Sequence, residues 1–158
     1  MPGEEWKESL IFLDLKETCE TDILKKMAEA MVREGYARDT YVEALLQREK
    51  SFPTGLDIHG IGIAIPHTDP CHVRKEGIAL AVLKEPVIFG SMEDDRRTVA
   101  VRLIFMLAVL EAEVHLERLQ SILNIIQDAE VLAQLLAAGD QKQILQIIRE
   151  EDRRGGSR

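Results

Sequence analysis

Short apolar runs of strand length alternate along this chain with longer segments whose apolar residues recur at helical spacing. That alternation restricts the fold to an α/β domain more tightly than any other feature. The first strand is expected around Leu10 to Leu15. A helix follows in which Leu24, Met27, Ala28 and Met31 share one face, and Gly35 supplies the stop. Thr40 and Glu43 are spaced as a capping box for a second helix, which buries Val42, Leu45 and Leu46 and cannot continue past Pro53. In GIGIAIPH, bulky Ile61, Ile63 and Ile65 alternate with Gly62 and Ala64. This predicts a strand ending at Pro66 with one face small enough for close packing. Gly77 to Leu83 is apolar on both faces, as in a central strand, and PVIF and Val99 to Leu110 read as further strands with an exposed turn over Glu93 to Arg97. Leu116, Leu119, Ile122, Leu123 and Ile126 define an amphipathic helix beginning near Glu113. Shorter helices around Val131 to Leu136 and Ile144 to Ile148 follow.

A chain of 158 residues suits one domain and buries roughly two-thirds of its unfolded surface without metal or disulfide support. The expected organisation is a single domain over residues 1–150 and a flexible tail over 151–158, where glycines follow the arginines without apolar anchors. The longest apolar run, Val99 to Leu110, is interrupted by Arg102 and is too short for a bilayer. With an acidic N-terminus, unlike the basic start of a secretory signal, this favours a cytoplasmic location. Cys19 and Cys71 are expected as free thiols. A formal net charge of −8 disfavours nucleic acid and anionic lipid as partners and points to proteins or small molecules.

Reactive groups in open α/β sheets gather at the carboxyl ends of strands, and His67 falls immediately after Pro66 at such an end, where its ring should be exposed. A neutral imidazole is a nucleophile near pH 7, and a phosphoryl group carried on it remains transferable. Such transfer requires positioned donors around the phosphoryl oxygens. Arg48 offers a charge-assisted bond, Thr54 a hydroxyl, and His115 a bond set by its protonation, in the first turn of its predicted helix where the dipole favours an anion. Each also has an ordinary structural reading: His67 as a turn residue, Arg48 as a cation complementing a helix end, His115 as an exposed helical histidine, and Thr54 as a turn former beside Pro53 and Gly55.

Other chemistries fit less well. His67, Asp69, Cys71 and His72 contain metal-binding atom types, but no second Cys or His pair stands at a structural zinc spacing, so no metal is expected. There is no Walker or dinucleotide loop and no G-x-S-x-G elbow, so neither an ATP-using kinase nor a serine hydrolase is expected. No cofactor is called for.

GIAIPHT, preceded by QREKSFPTGL and followed downstream by EVHLERLQSIL, resembles the IIA component of the sugar phosphotransferase system, of the fructose and mannitol type (EIIA type 2). The resemblance runs from the first strand to about Ile148. It implies a mixed five-stranded sheet flanked by helices on both faces, and a phosphohistidine at His67 charged by the carrier HPr. Arg48 and His115 would then be the other catalytic groups, with Glu49, Thr54 and Thr68 in phosphoryl-binding or supporting roles. The implied acceptor is a cysteine of a IIB component, which phosphorylates sugar during transport through a membrane IIC component that this chain meets only indirectly. FPTGL and Thr68 after the histidine are most similar to the galactitol branch. The alternative is a regulatory phosphoacceptor whose phosphorylation state controls partner proteins. Ile61 to Ile65 are expected to supply an apolar rim for docking.

Overall fold

The computed structural model describes residues 6–110, 120 and 122–156. Five strands form one mixed sheet: β1 (Trp6–Phe12), β2 (Gly55–Ile58), β3 (Ile61–Ala64), β4 (Gly77–Gly90) and β5 (Thr98–Ala108), in the spatial order β1-β4-β5-β3-β2. β4 pairs antiparallel with β5, and β2 with β3. The seams β1–β4 and β3–β5 are parallel.

Strand alternation sends side chains into two apolar layers. On one face Ala79, Ala81 and Leu83 of β4 and Ile104 and Met106 of β5 pack under α1 (Glu20–Arg33) and α2 (Tyr41–Ser51). On the other, Ile78, Leu80 and Val82 with Leu103, Phe105 and Leu107 meet a helical segment over residues 122–126 (α3), α4 (Ala129–Ala137) and α5 (Gln141–Gly156). The expected sheet with helices on both faces is thus what the chain forms.

Several boundaries differ from the sequence reading for local reasons. Among the described residues β1 spans Trp6–Phe12, nearer the N-terminus than expected, and its Trp6 ring seats edge-on against Phe105, with centroids 6.4 Å apart. PVIF is not a separate strand. β4 runs through it across a register shift between Val82 and Val87, where Lys84, Glu85 and Pro86 face solvent and Pro86 brings no ladder donor. The Gly35 stop is present, with φ of 86°.

Thr40 does not act as a capping box: its backbone is already helical, it makes no side-chain cap, and its hydroxyl pairs instead with His72 Nδ1 at 2.8 Å. β2 lies where the sequence suggested only a turn at Thr54 and Gly55. α5 extends to Gly156, well beyond the short helix expected around Ile144 to Ile148. The helix start expected near Glu113, and His115 with it, lie outside the described residues. No helix among the described residues is long and apolar enough to cross a membrane.

Gly62 carries the close packing read from its segment. A Cβ there would collide with the Ala100 carbonyl oxygen across the β3–β5 seam, and the register shifts between Gly62 and Ile63. This tight seam sets the position of everything that follows β3.

Candidate active site

The chain leaves β3 through Ile65 and Pro66, and both are tied down before His67 is reached. The Ile65 N–H donates to Thr54 Oγ1 at 3.1 Å, and the Pro66 carbonyl accepts from the Leu107 N–H at 2.9 Å. Tyr41 of α2, fully buried, donates its hydroxyl to the Leu107 carbonyl at 2.7 Å, locking the helix to the same end of β5. Burial pushes the Tyr41 phenol far up, so it stays a donor.

His67 itself is half-buried, where its place after a strand predicted an exposed ring. Its Nδ1 lies 2.9 Å from the Ile65 carbonyl oxygen. A carbonyl can only accept, so Nδ1 carries the proton and, in the neutral ring, Nε2 carries the lone pair. Burial lowers the imidazole pKa below its ordinary value. The nearby Arg48 charge lowers it further, while the Ile65 bond and Asp69 act in the opposite sense. The result is an imidazole biased toward its neutral form, with the proton on Nδ1.

Arg48 comes from the last turn of α2. Its Nη1 pairs with Asp69 Oδ1 at 3.4 Å, and its guanidinium lies 5.5 Å from the centre of the Phe52 ring. Its Nε is buried and has no hydrogen-bond partner among the described residues. A buried donor without a partner on a cation beside a neutral imidazole suits an anion.

Glu49, the next residue, points the other way into the protein and is only 5 % exposed. Its Oε2 accepts from the Thr54 N–H and its Oε1 from the Thr54 hydroxyl, both at 2.7 Å. Burial outweighs these bonds and raises its carboxyl to about 7, with the charge of Glu20 adding to the rise. The loop carrying Thr54 is held closely. A Cβ on Gly55 would strike the Gly90 carbonyl oxygen, and the Met92 N–H donates to the Gly55 carbonyl at 2.8 Å.

The structure therefore brings His67, Arg48, Glu49 and Thr54 together but divides their tasks differently from the sequence reading. The Thr54 proton is given to Glu49 and its oxygen receives Ile65, so this hydroxyl braces the turn and has no proton left for a phosphoryl oxygen. Thr68 likewise donates its hydroxyl to the Asp69 carbonyl at 3.0 Å. His72 is occupied with Thr40, Cys71 is exposed, and no group of three metal-type side chains occurs among the described residues. Asp69 and the Ile65 backbone were missed as site elements. Asp69 sits two residues after His67, a spacing visible in the sequence, whereas a backbone contact leaves no sequence signal.

Residues 6–151 match the family model described as the phosphoenolpyruvate-dependent sugar phosphotransferase system, EIIA 2, and the chain belongs to that family. Among its relatives, the galactitol-specific EIIA component of Escherichia coli K12 is 30% identical over 116 residues, covering 73% of this chain and 77% of that protein. The mannitol-specific EIICBA component of the same strain is 31% identical over 141 residues, which are 87% of this chain but 21% of that longer protein. Among solved structures, the complex of enzyme IIAMTL and phosphorylated enzyme IIBMTL from Escherichia coli is similar at a TM-score of 0.77 and 28% identity. It covers 92% of this chain and 97% of that one.

Proposed function

We propose that this chain is a phosphocarrier that accepts a phosphoryl group from phospho-HPr on Nε2 of His67 and delivers it to a IIB cysteine, in a galactitol-type sugar system. The observation that carries this reading is the Nδ1 bond to Ile65, which leaves the lone pair of the neutral ring on Nε2. That lone pair attacks phosphorus as the donor's bond to phosphorus breaks, and the Nδ1 proton stays on the ring throughout. Delivery reverses the step, with a IIB thiolate as nucleophile. Arg48, with its orphaned Nε, supplies charge to the phosphoryl oxygens. His115, which matches the resemblance in sequence order and spacing, is the further supporting group on this reading.

The sugar assignment rests on the galactitol-specific relative and on Thr68 following the histidine. The partner assignment rests on the solved complex of the mannitol IIA with its phosphorylated IIB. Phe52, 66 % exposed beside Arg48, and Met92 in the neighbouring turn offer apolar surface next to the site, a different edge from the largely buried Ile61 to Ile65 expected to form it.

The test is intact-mass spectrometry after incubation with phosphoenolpyruvate, Enzyme I and HPr. The parent should gain one acid-labile phosphoryl group and His67→Ala none, with an unchanged melting profile. Gain by both proteins, or by neither, overturns the assignment. Adding a galactitol-type IIB should then discharge the phosphoprotein; a stable phosphoprotein would favour the regulatory alternative.

A further inference from the structure

Two groups adjacent in sequence have opposite surroundings: Arg48 looks into the site, whereas Glu49 is buried behind it with both carboxyl oxygens bonded to Thr54. A carboxylate removed from water without a cation is costly, and its pairing with a single threonine calls for a function. The charged and titratable groups near it are Glu20 from α1 and Glu43, Arg48 and Lys50 on its own helix. Glu20, Glu43, Lys50 and Glu49 itself line a cavity of about 260 Å³ between α1 and α2. No cation among the described residues forms an ion pair with it.

What Glu49 does touch leads to His67 in three donor steps, all running in one direction. The His67 Nδ1–H donates to the Ile65 carbonyl, the Ile65 N–H donates to Thr54 Oγ1, and the Thr54 hydroxyl donates to Glu49 Oε1. The second bond from the Thr54 N–H to Oε2 fixes the loop, so the threonine cannot swing to present a different atom to Ile65. The two Ile65 groups belong to different peptide units. The chain of bonds therefore transmits position rather than charge: it sets where the Ile65 carbonyl lies, and that carbonyl selects the ring tautomer.

We propose that Glu49 is a positioning residue for His67, which through Thr54 and the Ile65 backbone holds the ring in the Nδ1–H form and so makes Nε2 the phosphoryl acceptor. The inference rests on the phosphocarrier reading, but its tautomer part stands apart from any transfer. Glu49→Gln presents one acceptor and one donor to the two Thr54 donors, so one bond must break or turn. Thr54→Val removes the hydroxyl from both Glu49 and Ile65. Thr54→Ser keeps it.

The test combines ring ¹⁵N shifts of His67 in the unphosphorylated protein with the initial rate of phosphoryl gain from phospho-HPr, on variants whose amide spectra show the native fold. The parent should be in the Nδ1–H form. Glu49→Gln and Thr54→Val should show mixed tautomers and a rate reduced about tenfold, the value of one net hydrogen bond, with Thr54→Ser restoring both. Glu49→Gln preserves volume and Thr54→Ser loses only one methyl group, so they decide the matter should the valine variant fail to fold. Parent-like tautomer and rate in Glu49→Gln would overturn the proposal, as would a rate loss in Thr54→Ser equal to that in Thr54→Val. A parent that takes no phosphoryl group while Glu49→Gln still shifts the tautomer would remove the carrier reading and leave the positioning role standing.

Discussion

His67 has two unlike sides. Toward the protein interior it is backed by Ile65, Thr54 and Glu49, neutral donors and a buried carboxyl linked by bonds of 2.7 to 3.1 Å. Toward solvent it faces Arg48 and Asp69, an ion pair at 3.4 Å whose side chains are 37% and 74% exposed. The inner side has geometry that water cannot replace, because each of its groups would be left unsatisfied if a partner were removed. The outer side has charge that water and salt can screen. On the phosphocarrier reading, which has an anion bound and released again, this keeps the rigid part of the site away from solvent and the adjustable part in it.

Four measurements test this division. The largest effect is expected from Thr54→Val, which strands the Glu49 carboxyl and the Ile65 N–H. Urea denaturation should show a loss of about 1–3 kcal/mol, and a variant as stable as the parent would break the contrast. Arg48→Ala should leave stability within about 0.5 kcal/mol but slow phosphoryl gain roughly 10- to 100-fold, the worth of one charge-assisted bond. That defect should shrink at high salt if Arg48 acts through its charge.

The third is a matter of pH. Glu49, raised to about 7, contributes stability that is fully present below its ordinary carboxyl range and is lost as pH rises through about 7. His67, lowered, contributes stability above its ordinary pKa that is lost as pH falls below it. Stability measured across this range should therefore fall less toward neutral pH in Glu49→Gln than in the parent, and an identical slope would contradict the burial of Glu49 as a titrating group.

Asp69→Asn should do least. Removing a charge that raises the His67 pKa moves its NMR titration midpoint further down, with stability unchanged within about 0.5 kcal/mol. An upward move would mean that Asp69 acts chiefly by holding Arg48 close to the ring, whose pKa the Arg48 charge lowers.

Much of this was legible in residue order. Continuous apolar runs located β4 and β5, period-two alternation located β3, and helical spacing located α1 and α2, while the strand-end position made His67 a candidate and its need for anion donors nominated Arg48, which the resemblance also implies. What escaped has particular causes. β2 was hidden because Gly55 in FPTGLDI signals a turn, and its strand pairing depends on β3 folding back along it. Thr40 has the letters of a cap, but a tertiary partner, His72, claims its hydroxyl. Thr54 was read as a phosphate donor because a hydroxyl near an active histidine looks available. Only the fold shows that Glu49, five residues earlier, has already taken the proton.

The two parallel seams have a kinetic consequence. β2–β3 and β4–β5 are hairpins between neighbours in sequence and can close early, but β3–β5 and β1–β4 join segments separated by whole intervening elements, so they pay the larger loop-closure cost. His67 stands just beyond the β3–β5 seam and is held across it by the Leu107 amide. A half-assembled molecule with both hairpins formed would still lack a placed imidazole. Placement of the His67 ring thus belongs to the β3–β5 pairing and not to either hairpin alone.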